Sequence, residues 1–122
     1  MRTILAAVTV LAATCGSAFA DCKSETTLPG FIKAKKTQER SFTLSNPGAA
    51  IYVVTDSIHD RLYVKVLRPN GKVVCPTRGP AANLSCAPEV GGRKRPAGEH
   101  KILITNKMNR AVSYSLSCAN PP

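Results

Sequence analysis

Clusters of lysine and arginine are the side chains of this sequence most suited to binding chemistry. The segments FIKAKK and GRKRP are both dense in positive charge, and strict alternation in RLYVK would put its two cations and its tyrosine on one strand face. Such side chains attract anionic groups, and a formal net charge of +10 extends that attraction over the surface. The predicted binding residues are Lys33, Lys35, Lys36, Arg61, Tyr63, Lys65, Arg93, Lys94 and Arg95.

Histidine–carboxylate neighbours occur twice, as His59–Asp60 and Glu99–His100. Adjacent residues of a strand point to opposite faces, so Glu99 and His100 would not chelate an ion together. His59 with Asp56 and Asp60 could make a weak cation site in a turn, but this turn has too few carboxylates for calcium. The sequence has no C-x-x-C or H-x-x-x-H spacing for zinc. We predict no metal and no cofactor.

Catalytic motifs are lacking in this sequence. There is no G-x-S-x-G elbow, no glycine-rich phosphate loop before a helix, and no obvious carboxylate pair for glycoside hydrolysis. Ser113, Ser115 and Ser117 alternate with apolar residues, which predicts the exposed face of an edge or half-open strand. A Ser/His/Asp site could still assemble in space. The prediction is a protein that is not an enzyme.

Residues 1–20 have the organisation of a signal peptide. Arg2 supplies a positive charge, ILAAVTVLAA is an apolar block, and AFA ends in a small-x-small cleavage site at Ala20. Cleavage after Ala20 would leave one domain, residues 21–122, with a net charge of +9. The predicted location is therefore secreted or periplasmic.

Two other interpretations of this N-terminal segment stay open. A buried core helix is one, although the order of charge, apolar block and cleavage site favours a signal. Lipidation at Cys15 is the other, although Thr14 stands where lipoprotein processing requires glycine or alanine.

Four cysteines follow the signal: Cys22, Cys75, Cys86 and Cys118. An even number in a small exported domain predicts two disulfides, for which three pairings are possible. Cys75–Cys86 is favoured because these residues flank one short connection, and Cys22–Cys118 would then tie the two ends of the domain.

Turn segments punctuate the chain at short intervals, and between them apolar residues alternate with a period of two. In RPNG, Pro69 and Gly71 favour a tight turn, which predicts a hairpin between residues 61–67 and 72–75. About seven to eight short strands predict a small antiparallel β-sandwich, jelly-roll-like and all-β. Leu62, Val64 and Val66 are predicted to fill the core. In the other strands the residues that share a face are Phe42 with Leu44, Ile51 with Val53 (opposite Tyr52 and Val54), Ile102 with Ile104, and Val112 with Tyr114, Leu116 and Cys118.

The segment DRLYVKVLRPNGKVV resembles the central hairpin of bacterial pre-peptidase C-terminal domains, and GEHKILITN with YSLSC is similar to their last two strands. The resemblance covers residues 41–118. It implies a jelly-roll sandwich that is secreted or periplasmic and acts as a non-catalytic accessory or binding module. The family's paired acidic residues are reduced here to Asp60, which Arg61 follows, so no calcium site is carried over. A weaker similarity is to periplasmic inhibitors of goose-type lysozyme.

The predicted function is therefore that of an exported binding or accessory module for an anionic envelope or extracellular polymer, or for a protein partner. Peripheral association with the cell envelope is also open. Nucleic acid is not expected, because the chain is exported and stacking aromatics are few.

Three alternatives to this function remain. The basic residues could be a solvated surface that keeps the domain soluble. The protein could be an inhibitor of a secreted lysozyme or protease, using the loop at 91–98, although like charges oppose encounter with a basic lysozyme. It could also be a purely structural protein of the cell envelope. The sequence leaves the oligomeric state open.

Overall fold

The computed structural model describes residues 19–22, 25–45, 48–75, 79–88 and 97–120. This part of the chain contains nine strands and no helix that could span a membrane. In chain order the strands are Phe19–Asp21 (β1), Glu25–Ile32 (β2), Thr37–Leu44 (β3), Ala50–Thr55 (β4), Tyr63–Leu67 (β5), Val73–Val74 (β6), Asn83–Cys86 (β7), Gly98–Thr105 (β8) and Val112–Ala119 (β9).

The strands form two sheets packed face to face. Sheet A has the order β1-β3-β8-β5-β6, and sheet B has the order β2-β9-β4-β7. Without β1, each sheet has four antiparallel strands. Successive strands pass between the sheets, except in the β5–β6 hairpin, which gives the jelly-roll arrangement. The predicted small β-sandwich is confirmed, and β1 adds a short parallel strand at the edge of sheet A.

Alternation of apolar residues builds the core between the sheets, because every second side chain of a strand points inward. The pattern is clearest in β9, where buried and half-buried residues alternate over all eight positions. Leu62, Val64 and Val66, predicted for the core, are buried with a relative exposure of at most 5%. In β4 the inward face is that of Ile51 and Val53, while Tyr52 and Val54 are exposed. The three serines of β9 face outward from the middle of sheet B, since β9 pairs with β2 on one side and β4 on the other.

The RPNG turn closes the predicted hairpin between β5 and β6. Gly71 has a φ of 86°, a left-handed conformation that glycine adopts without steric cost, and its amide donates to the Arg68 carbonyl at 2.8 Å. The Asn70 side chain accepts from the Lys72 amide at 3.0 Å. The first strand of this hairpin, β5, begins at Tyr63 rather than at Arg61, because Leu62 pairs with Ala81 in an isolated bridge.

Both predicted disulfides are present. Cys22 bonds to Cys118 across a sequence separation of 96, and Cys75 bonds to Cys86 across a separation of 11. The first joins the N-terminal segment to the end of β9 inside the core. The second joins β7 in sheet B to the residue that follows β6 in sheet A.

The predicted signal cleavage after Ala20 stays a prediction. The site falls within β1. Cleavage there would remove two of the three residues that pair with β3. Cys22 would remain attached to the fold, through its disulfide and through its amide, which donates to the Thr43 carbonyl at 3.3 Å.

Candidate functional site

Three connections meet at one end of the sandwich and carry four of the nine predicted binding residues. They are 33–36 between β2 and β3, 56–62 between β4 and β5, and 106–111 between β8 and β9. Strand register places them together, because Thr105 pairs with both Thr37 and Tyr63, while Ile32 pairs with Val112. We call this region the basic end. Its connections contain two carboxylates and six exposed cations: Lys33, Lys35, Lys36, Arg61, Lys107 and Arg110.

Asn106, which is fully buried, fastens two of these connections together. Its Nδ2 shares its hydrogens among the carbonyls of Ile32, Lys33 and Arg110, at 3.2, 3.1 and 2.9 Å. Its Oδ1 accepts from the Met108 amide at 2.9 Å, and its own amide donates to the Lys36 carbonyl at 2.9 Å. The connection at 33–36, which we call the lysine turn, therefore has a defined position against the β8–β9 connection.

A chain of contacts links the lysine turn to Tyr63. Lys35 Nζ donates to the Lys107 carbonyl at 2.6 Å, and Lys107 Nζ lies 4.7 Å from the centre of the Tyr63 ring. An ammonium over a tyrosine face is attracted by the negative charge of the ring's π system. Tyr63 thus supports a cation, Lys107, that the sequence interpretation did not include.

The β4–β5 connection is held by two arginines. Arg110 forms an ion pair with Asp60, with Nη2 2.9 Å from Oδ1. The Arg61 guanidinium turns back onto its own loop and donates to the carbonyls of Ile58 and Asp60. Asp60, considered above as a cation ligand, is therefore engaged by Arg110. Within the described ranges, no group of three or more His, Cys, Asp or Glu side chains is arranged to hold a metal ion.

A cleft of about 330 Å³ opens beside the lysine turn. Its lining combines two cations, an exposed aromatic ring and polar side chains, from Phe31, Ile32, Lys33, Lys36, Thr37 and Gln38. The site can therefore attract an anionic group and at the same time offer it an apolar contact.

Gln38 is held in the cleft lining by a chain of hydrogen bonds through Tyr114 to Arg40. Its Oε1 accepts from the Tyr114 hydroxyl, which in turn accepts from Arg40 Nη1 at 2.9 Å. Burial raises the pKa of Tyr114, and the neighbouring Arg40 opposes that rise. The Tyr114 ring lies against Gly30, where a Cβ would come within 2.1 Å of it, so any larger residue would displace the ring.

The remaining predicted binding residues lie elsewhere. Lys65 is exposed on the outer face of sheet A, in register with Leu103, two residues along β5 from Tyr63. Arg93, Lys94 and Arg95 lie outside the described residues, so their role stays a prediction. The strand residues on either side of that segment, Cys86 and Gly98, pair with Ile51 and Leu44 at the end of the sandwich opposite the basic end.

His100 is a core residue and not a surface ligand. It is 1% exposed, and its Nδ1 donates to the Gly98 carbonyl at 3.0 Å. Burial lowers the pKa of His100 below its usual 6.5, the Gly98 hydrogen bond opposes this shift, and the positive charge of Arg68 adds to it.

This lowered pKa predicts a pH dependence of stability. As the pH falls below about 6.5, the unfolded chain takes up a proton at His100 before the folded protein does, so folding stability decreases with falling pH. The expected slope is at most about 1.4 kcal/mol per pH unit, and it vanishes above the pH range in which the unfolded imidazole titrates.

Urea unfolding between pH 7.5 and 5.5 tests this prediction. His100→Phe should have a flatter profile than the unsubstituted protein, and His59→Gln, at an exposed position, is the control. Equal slopes for His100→Phe and the unsubstituted protein would contradict it.

Comparison with known proteins supports the fold without assigning a family. No family model and no curated protein matches the chain. Among solved structures, the pre-peptidase C-terminal domain of a collagenase from Bacillus anthracis matches 87% of this chain and 99% of its own, at 12% identity and a TM-score of 0.52. The likeness is one of fold.

Periplasmic inhibitors of g-type lysozyme are also similar to this chain. Two such structures are the inhibitor from Aeromonas hydrophila and a mutant of the inhibitor from Escherichia coli. Each matches 85% of this chain and 98% of its own, at 12% identity and a TM-score of 0.49. Both resemblances predicted from the sequence are thus found among solved structures.

Sequence reasoning missed Asn106, Lys107 and Arg110, which lie in the segment TNKMNR. Its two cations in four residues are a detectable signal, but only the register of β8 places them beside the lysine turn.

Proposed function

We propose that this protein is an exported, non-catalytic binding module whose basic end takes an anionic partner. The observation that carries the proposal is the meeting of six cations from three connections at one end of the sandwich, against two carboxylates, with two of the cations lining a cleft. Two disulfides in a small domain are typical of exported proteins and support a secreted or periplasmic location. The candidate partners are an anionic polymer, the acidic surface of a protein and the anionic surface of the cell envelope.

Charge reversal at the basic end tests this function. Lys33→Glu/Lys36→Glu reverses the two lysines that line the cleft and should weaken binding of dextran sulfate by about tenfold or more, since like charges then face the ligand. Lys72→Glu/Lys101→Glu makes the same change in net charge at exposed positions away from the basic end, and should cost much less. Binding should weaken from low to physiological salt as the Debye length falls from about 30 to about 8 Å.

Each contrary result has a definite meaning. Equal losses in the two charge-reversal variants would show that net charge alone drives binding, which contradicts a site at the basic end. A loss in Arg93→Ala/Lys94→Ala/Arg95→Ala without a loss in Lys33→Glu/Lys36→Glu would move the site to the 91–98 loop. No binding by the unsubstituted protein, with salt-resistant capture and inhibition of a secreted hydrolase, would replace the proposal with the inhibitor alternative.

A further inference from the structure

Two large apolar side chains project from the basic end. Ile58 is 75% exposed and Phe31 is 57% exposed, the highest values among the large hydrophobic residues of the described segments. Isolated exposed apolar residues are common on protein surfaces. These two are unusual because they stand among the six cations of the basic end.

Ile58 is presented by a turn with many internal hydrogen bonds. The Asp60 amide and the Thr55 hydroxyl both donate to the Ser57 carbonyl, at 3.0 and 2.8 Å, and Arg61 donates to the carbonyl of Ile58 itself. The ion pair of Asp60 with Arg110 ties the turn to the β8–β9 connection. The exposed side chain is therefore held outward by the fold.

Phe31 and Ile58 belong to one patch. Phe31 pairs with Ser113 on one side of β9, and the Asp56 amide donates to the Ser113 carbonyl at 3.3 Å from the other side. Neighbouring strands are about 4.8 Å apart, which puts the backbones of Phe31 and Asp56 roughly 10 Å apart, with Ile58 two residues further on. Lys33 and Lys36 flank Phe31 in the cleft.

We propose that the anionic partner is a lipid bilayer, and that the basic end docks on it with Phe31 and Ile58 entering the interfacial region. This inference rests on the proposed function and names its ligand. A soluble polyanion would use the cations alone, whereas an anionic bilayer offers negative headgroups and, just below them, an apolar layer for the two side chains. The charge of the basic end and its protruding apolar groups together complement that surface.

Vesicle binding tests the inference with matched variants. The unsubstituted protein should bind phosphatidylcholine vesicles that contain phosphatidylglycerol, and should not bind pure phosphatidylcholine vesicles. Phe31→Ser/Ile58→Ser should weaken vesicle binding by about tenfold or more, because apolar area no longer leaves water. Ile58→Ser alone, which leaves the cleft lining intact, should also weaken vesicle binding while dextran sulfate binding stays unchanged. Tyr52→Ser/Val73→Ser removes two exposed apolar side chains outside the basic end and should bind vesicles normally.

A tryptophan probe gives a second readout. The chain contains no tryptophan, so Phe31→Trp introduces a single reporter. Its emission should shift to the blue on phosphatidylglycerol vesicles, and that of Tyr52→Trp should not.

The outcomes separate the two proposals. Dextran sulfate binding that depends on Lys33 and Lys36, with vesicle binding insensitive to Phe31→Ser/Ile58→Ser, would overturn the bilayer inference and leave the proposed function standing. An unshifted Phe31→Trp emission on bound vesicles would also overturn the inference. If the protein binds neither dextran sulfate nor anionic vesicles, both proposals are overturned.

Discussion

Replacing Asn106 with aspartate is expected to lower the free energy of unfolding by about 3–5 kcal/mol. The asparagine Nδ2 donates to three carbonyls, and a carboxylate of the same shape would present an acceptor to all three. The new charge would also be fully buried, since Asn106 has no exposed surface. The same change should weaken binding of dextran sulfate, because Asn106 holds the lysine turn against the β8–β9 connection.

Asn109→Asp is the matched control. It makes the same chemical change in the same connection, at an exposed position, and should alter stability by less than about 0.5 kcal/mol. Urea unfolding at neutral pH would measure both variants. Similar urea midpoints for Asn106→Asp and Asn109→Asp would show that the hydrogen bonds of the Asn106 side chain do not stabilise the basic end.

Removing the Cys22–Cys118 disulfide is the second change with a large expected effect. Cys22→Ala/Cys118→Ala should lose about 4–5 kcal/mol of stability, because the disulfide closes a loop of 96 residues and restricts the unfolded chain. A domain of this size has about 5–15 kcal/mol in total, so this loss is a large fraction of its stability.

The Cys75–Cys86 disulfide provides the comparison. It spans only 11 residues, and the same chain-entropy argument gives Cys75→Ala/Cys86→Ala a smaller loss of about 3 kcal/mol. Thermal unfolding of both double variants, followed by circular dichroism, would rank them. A larger loss from the short loop would mean that contacts in the folded state, and not loop length, decide the contribution of each disulfide.

Much of the fold is predictable because strand structure leaves a local signature. The alternation in YSLSC determines which side chains of β9 face the core, since a shift of one residue would bury serines. The turn at Gly71 follows from residues within four positions of each other. The disulfide pairing followed from the short connection between Cys75 and Cys86, which leaves Cys22 and Cys118 to each other.

The sequence by itself therefore indicated the sandwich, which residues of most strands share a face, a favoured disulfide pairing and the cationic character of the surface. Only the tertiary structure decided which cations meet, because strand order and register bring together turns that are far apart in the chain. Lys35 and Lys107 are 72 residues apart, yet their connections share one end of the sandwich, while the strands on either side of Arg93, Lys94 and Arg95 reach the other. The position of the Asn106 side chain between two connections follows from the same long-range packing. The burial of His100, by contrast, follows the local alternation that also buries Ile102 and Ile104.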